Sequence, residues 1–127
     1  MSDETGITTT AAIWRDAHSG VRGHALMTKE QGEKIPALYA NENVQNYDDV
    51  LAVAKLFSPY SGWRWFITEW DPQTGTCFGL VEGIETEIGY FDITELAEVT
   101  VFGGVPAVER DLYWQPKTIG EIRSEAR

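Results

Sequence analysis

The sequence predicts an α+β domain: an antiparallel β-meander of four to five strands with a few short flanking helices. Three observations predict it. Four runs rich in apolar and β-branched residues, 50–57, 63–70, 76–81 and 85–91, follow one another closely. The connections between them are short and carry Gly and Pro, and such connections join antiparallel neighbours because a parallel pair needs a longer crossover. Patterns that cap helices stand before and after this block, at Thr28 and Asp92, rather than within it.

Residues 1–10 are small and polar, with Thr at 8, 9 and 10, and read as a mobile tail. The first 26 residues form a partly flexible N-terminal extension, and residues 27–127 form the α+β domain. Within the extension, Ile13, Trp14, Val21 and Leu26 are interrupted by Ser19, Gly20 and Gly23, a pattern of a short helix and a loop. Thr28-Lys29-Glu30-Gln31 fits a capping box, with a helix expected to about Tyr39 and an interruption near Pro36. Residues 41–49 are polar and turn-rich.

In 63–70, Trp63, Trp65 and Ile67 alternate with Arg64, Phe66, Thr68 and Trp70. Both sets hold large apolar groups, so this strand is expected to be central and covered on both faces, with Trp65 in the core. Asp71-Pro72-Gln73-Thr74-Gly75 is a turn signal and Gly83 marks the next turn. Asp92-Ile93-Thr94-Glu95 opens a short helix to about Glu98, Gly103-Gly104 forms a loop, and 108–114 alternates in the manner of a fifth strand. Thr118-Ile119-Gly120-Glu121 caps a final helix.

The chain of 127 residues has the length of one domain, and 43% hydrophobic residues is a globular composition. A net charge of -10 repels nucleic acid and anionic membranes, so direct nucleic-acid binding is disfavoured. Cys77 is the single cysteine, which excludes an internal disulfide. No apolar run approaches the length of a membrane span or a signal peptide, and a cytoplasmic protein without membrane attachment is expected.

Two E-x-D pairs are the candidates for catalysis: Glu69 with Asp71, and Glu109 with Asp111. On a regular strand, residues i and i+2 share a face, so each pair can offer two carboxylates to one hard metal ion or one water. The plainer reading is that Asp71 caps its turn and that Glu109 and Asp111 form ion pairs with Arg64 or Lys55. His18 and His24 lack ligands at a metal-like spacing and read as surface residues. No nucleotide-binding glycine loop, zinc-protease motif or nucleophile elbow is present, and neither a metal nor any cofactor is expected.

From Trp65 to Glu109 there is no Lys or Arg, whereas Glu82, Glu85, Glu87, Glu95 and Glu98 all fall there. These five form the candidate binding set. The aromatic residues Tyr60, Trp63, Trp65, Trp70, Tyr90, Tyr113 and Trp114 suit either the core or an aromatic groove.

The blocks K-L-F-S-P, T-E-W-D-P, F-G-L, E-I-G-Y-F, T-E-L and V-E-R-D-L-Y-W-Q-P, in this order and spacing, resemble the bacterial family known as domain of unknown function 2958. The resemblance runs from about residue 27 to residue 122. After F-G-L the chain departs from the usual pattern, with Val81-Glu82-Gly83 in place of a C-D-L-G-like turn. The family brings no established activity to any residue. The resemblance implies a context, an accessory protein of plasmids, integrated elements and phages. Two functions are therefore weighed: an acidic, non-enzymatic module that binds another protein, such as a nucleic-acid-binding host or defence protein, and a small metal-assisted enzyme. Carboxylates spread on an exposed face favour the first; Glu69, Asp71, Glu109 and Asp111 converging in a pocket favour the second.

Overall fold

The structure, a computed structural model, describes residues 18–125. Most of the expected N-terminal extension lies outside the described residues. The centre is the expected meander: β2 (Ala54–Phe57), β3 (Arg64–Trp70), β4 (Thr76–Glu82) and β5 (Thr86–Asp92). With β8 (Glu109–Arg110) they form a five-stranded sheet of order β5-β4-β3-β2-β8, antiparallel throughout. Two small ladders join β1 (Leu51–Ala52) to β9 (Lys117–Thr118), and β6 (Thr100–Val101) to β7 (Val105–Pro106). Four short helices flank the sheet: α1 (Ser19–Arg22), α2 (Lys29–Glu33), α3 (Ile93–Glu98) and α4 (Ile119–Glu125), with a 3-10 turn at Tyr47–Asp49.

The capping signals act locally, as expected. The amide of Glu121 donates to Thr118 Oγ1 at 3.1 Å while the Thr118 amide donates to Glu121 Oε1 at 2.8 Å, a complete capping box. The Asp92 carboxylate accepts from the Thr94 amide at 2.8 Å and opens α3. Thr28 accepts from the Gln31 amide at 3.1 Å, but the Gln31 side chain donates to the Val53 carbonyl instead of reaching back.

Three elements are shorter than expected. The helix after Thr28 ends at Glu33, not near Tyr39, because Pro36 disfavours the helical conformation of the residue before it. The freed Pro36 carbonyl accepts from the Trp70 amide at 2.9 Å. The run 50–57 divides at Val53, its first half pairing with β9 and its second with β3. The run 108–114 keeps ladder pairing only at Glu109–Arg110; beyond it, Asp111 accepts from the Tyr113 amide at 3.0 Å and turns the chain.

β3 also breaks its own alternation. Ile67 pairs with Gly79 and Glu69 with Phe78, so Thr68 is an extra residue, a β-bulge. Past the bulge the side chains change phase. Trp70, expected on the face of Phe66, lies instead with Trp65 and Ile67, in a core that includes Leu26, Met27, Leu56, Cys77 and Ile93. The opposite face carries a second core of Ala52, Phe66, Leu80, Ile119 and Ile122, with Tyr47, Ile88 and Trp114 against it. β3 is thus covered on both sides, and Trp70 anchors α2 by donating its indole N–H to the Gly32 carbonyl at 3.0 Å.

Across from the bulge stands Gly79. A methyl carbon added there would meet the Phe66 carbonyl oxygen at 1.8 Å, a backbone atom that cannot swing aside. Gly79→Ala is expected to destabilise by about 3 kcal/mol or more, the upper end for overpacking, measured by urea unfolding. Trp65→Ala should cost about 3–5 kcal/mol, as large aromatic truncations in cores do; a wild-type melting curve for either variant contradicts the packing described.

Candidate functional site

The bulge decides the fate of the four candidate carboxylates. Because Thr68 takes up the extra position, Glu69 pairs with Phe78 and projects to the second face of the sheet. Glu69 is buried, and its oxygens accept from the Tyr39 amide at 2.7 Å, the Asn41 amide at 3.1 Å and Asn41 Nδ2 at 2.8 Å. Asp71 caps its own turn, accepting from the Gln73 amide at 2.9 Å. Asp111 lies 3.8 Å from Lys55 Nζ. Glu109 pairs in register with Phe57 at the sheet's far edge. The four carboxylates therefore serve three separate local tasks or stand apart. Among the described residues no group of three or more His, Cys, Asp and Glu side chains is placed to share a metal ion.

Glu69 forms part of the wall of a cavity of about 380 Å³, with Tyr39, Asn41, Glu42, Val44, Gln45, Tyr47, Phe78 and Tyr90. Strand and loop build it together. Phe78 and Tyr90 are cross-strand partners on β4 and β5, with ring centroids 4.8 Å apart and planes at 60°. Tyr47 meets Phe78 edge-on, at 5.9 Å and 86°. The loop side is fixed by the Glu69 clamp, which holds Tyr39 at a left-handed φ of 71°. A non-glycine residue in that region is uncommon and needs surrounding contacts to persist.

The bulge also supplies a polar relay. The Thr68 hydroxyl donates to the Phe78 carbonyl at 2.9 Å, which leaves its oxygen to accept from the Tyr47 hydroxyl at 2.6 Å. Burial pushes the Tyr47 phenol above its ordinary range, and the Glu69 charge adds to the effect. The Tyr90 phenol is raised, first by the neighbouring Tyr39 hydroxyl and also by Glu69. The cavity thus has aromatic walls and a negative field.

A second, open groove of about 430 Å³ lies at the β4–β5 end, lined by Trp63, Val81, Ile84, Glu85, Glu87, Gly89 and Tyr90. Glu85 and Glu87 are exposed there. Ile84, at 92% exposure, caps the hairpin, and the Trp63 ring lies over Gly83, where any methyl carbon would meet it at 2.4 Å. Glu82 stands apart from this set. It is 8% exposed, pairs in register with Arg64, and lies 2.6 Å from Arg64 Nη2, an ion pair rather than an aligned hydrogen bond. Glu95 and Glu98 are exposed on α3 and do not line the groove.

Of the aromatic candidates, Trp65 and Trp70 are core residues. Trp114 is half-buried beside Phe66, and Tyr60, Trp63, Tyr90 and Tyr113 are exposed. Burial pushes the Cys77 thiol up, so it stays protonated at neutral pH. His24 Nε2 accepts from the Arg110 amide at 3.1 Å and so belongs to the fold rather than to a free surface. Of the cavity residues, sequence patterns pointed only to Glu69 and Tyr90; Tyr39, Asn41, Glu42, Val44, Gln45, Tyr47 and Phe78 were missed.

Residues 26–122 match the family described as protein of unknown function DUF2958, and the chain belongs to that family. No curated protein and no solved structure matches the chain. No helix among the described residues is long and apolar enough to cross a membrane.

The Glu69 clamp is testable. Glu69→Gln turns one acceptor oxygen into an N–H donor facing N–H groups, and should destabilise by about 1.5–3 kcal/mol, the scale of hydrogen bonds to charged groups. Hydrogen exchange at the Tyr39 and Asn41 amides should rise with it. Asp71→Asn keeps an acceptor at the turn and should cost under about 0.5 kcal/mol. Equal effects for the two variants would contradict the distinction drawn here.

Proposed function

We propose that this protein is a non-enzymatic, acidic accessory protein of a mobile element or phage that binds another protein, one whose own surface is basic because it handles nucleic acid. The observation that carries this reading is the open groove at the β4–β5 hairpin. Its apolar lining comes from Trp63, Val81 and the projecting Ile84, and its acidic lining from the exposed Glu85 and Glu87. It borders β5, which ends the sheet and so leaves one side of its backbone unpaired within it. An apolar centre with a charged rim is the anatomy of a protein interface, and an exposed Ile84 beside a Trp supplies its anchor.

The net charge of -10 speeds association with a basic partner and opposes contact with phosphates. The mobile-element context rests on the family pattern, and the basic partner on charge complementarity. A metal-assisted reaction at Glu69, Asp71, Glu109 and Asp111 is the weaker reading. The lone pairs of Glu69 are largely taken by three N–H donors, and Asp71 and Asp111 are held at separate turns.

Pull-down from the native host identifies the partner, and surface plasmon resonance then tests the groove. Glu85→Gln with Glu87→Gln should slow association several-fold and steepen no part of dissociation, because rim charges act mainly on the on-rate. Raising salt should have the same effect, since exposed charges are screened beyond about 8 Å at physiological ionic strength. Ile84→Ala should act on dissociation instead. Glu82→Gln should cost about 1 kcal/mol of stability, the scale of a partly exposed ion pair, and leave association unchanged. Wild-type rates for the double variant, with a flat response to salt, would end this reading and leave the acidity as a solubility device.

A further inference from the structure

The cavity on the other face has a chemistry of its own. Its lining includes the rings of Tyr39, Tyr47, Phe78 and Tyr90, with Tyr47 edge-on to Phe78 and Tyr90 at 60° to it. Ring faces carry negative potential and attract a cation placed over them. The lining residues include two carboxylates, the buried Glu69 and the exposed Glu42, and no Lys or Arg. Three neutral N–H donors hold Glu69 in place without cancelling its charge.

Other ligand classes fit this cavity poorly. An anion would face the carboxylates of Glu69 and Glu42. A hard metal ion needs several free oxygen ligands, and those of Glu69 are engaged. A strongly hydrated ammonium would exchange its water for the few acceptors on the rim, chiefly Glu42, and so gains little. A weakly hydrated, diffuse positive charge loses little and gains the ring faces together with the negative field.

From this geometry we infer that the cavity binds a soft organic cation, an alkylated ammonium or guanidinium head, between Tyr39, Tyr47, Phe78 and Tyr90, with Glu69 and Glu42 supplying the opposing charge. The site adjoins the hairpin groove and shares Tyr90 with it, but not Glu85 or Glu87. Phe78 and Tyr90 are cross-strand partners on β4 and β5, so the strand side of the cavity is set by the sheet before a ligand arrives.

The test uses the full chain, isotope-labelled, titrated with choline and with arginine amide while the amides of Tyr39, Asn41 and Tyr90 are followed by NMR. A third probe is the uncharged isostere of choline in which a tert-butyl group replaces trimethylammonium. At least one cation should give saturable shifts at these amides. The isostere should bind about two- to thirty-fold more weakly than choline if choline is the better probe, the factor for about 0.5–2 kcal/mol of cation–π attraction. Saturation by arginine amide alone assigns the site to guanidinium; saturation by choline assigns it to alkylated ammonium.

Tyr90→Leu, which keeps an apolar side chain at an exposed position, and Glu42→Gln should each weaken the cation by a similar factor, Glu42→Gln with an unchanged melting temperature. Glu85→Gln with Glu87→Gln should leave cation affinity as it is, which separates this site from the groove. Equal binding of choline and its neutral isostere, with no response to arginine amide, overturns the inference. So does the absence of saturable shifts at Tyr39, Asn41 and Tyr90 with both cations.

Discussion

One extra residue in the central strand governs how the two halves of this molecule meet. Thr68 has no partner on β4, and its insertion lets Trp70 and Glu69 exchange the faces that strict alternation would give them. Trp70 is thereby delivered to the larger core, where it closes over α2 through the Gly32 carbonyl. Glu69 is delivered to the other face, where it gathers the Tyr39–Asn41 loop. Bulges raise local twist and re-aim side chains. Here the bulge also needs Gly79 opposite, since no Cβ fits beneath the Phe66 carbonyl. The Thr68 hydroxyl contributes a substitute link, to the Phe78 carbonyl.

What the sequence made legible was local. The meander follows from short turns and apolar runs, and the caps at Asp92 and Thr118 form with the partners their spacing implies. Both depend on residues within a few positions of each other. The E-x-D reading of Glu69 and Asp71 failed as geometry for a different reason. It assumed an unbroken period of two, and nothing in the string T-E-W-D-P announces the extra residue. The nearest signal was Trp70 itself, a large ring that strict alternation would place with Arg64 and Phe66 rather than with Trp65. Glu82 was equally opaque as a surface residue. Its partner Arg64 sits directly opposite across a hairpin whose register only the structure supplies.

The acidic residues consequently divide by role. Glu69 works inside the fold, Glu82 is pinned against Arg64, and Asp111 faces Lys55. Lys55 itself lies 5.7 Å from the ring centroids of both Phe66 and Trp114, so one cation ties the second core to the sheet edge. Glu85 and Glu87 remain on the surface beside apolar groups, and Glu42 at the aromatic cavity. A net charge read from composition treats all of these alike. Only the residues left over from structural tasks are available to a partner or ligand. Glu95 and Glu98 stay exposed on α3, outside both the hairpin groove and the aromatic cavity.

The register of β3 against β4 is the claim on which the rest depends, and cross-strand nuclear Overhauser contacts measure it directly. The account predicts backbone contacts of Ile67 with Gly79, Glu69 with Phe78 and Trp70 with Cys77, and no β4 residue paired with Thr68. A regular strand would instead pair Thr68 with Phe78, Glu69 with Cys77 and Trp70 with Thr76. Observing that second set would return Glu69 to the first face, remove the clamp on Tyr39 and Asn41, and contradict the account at its root.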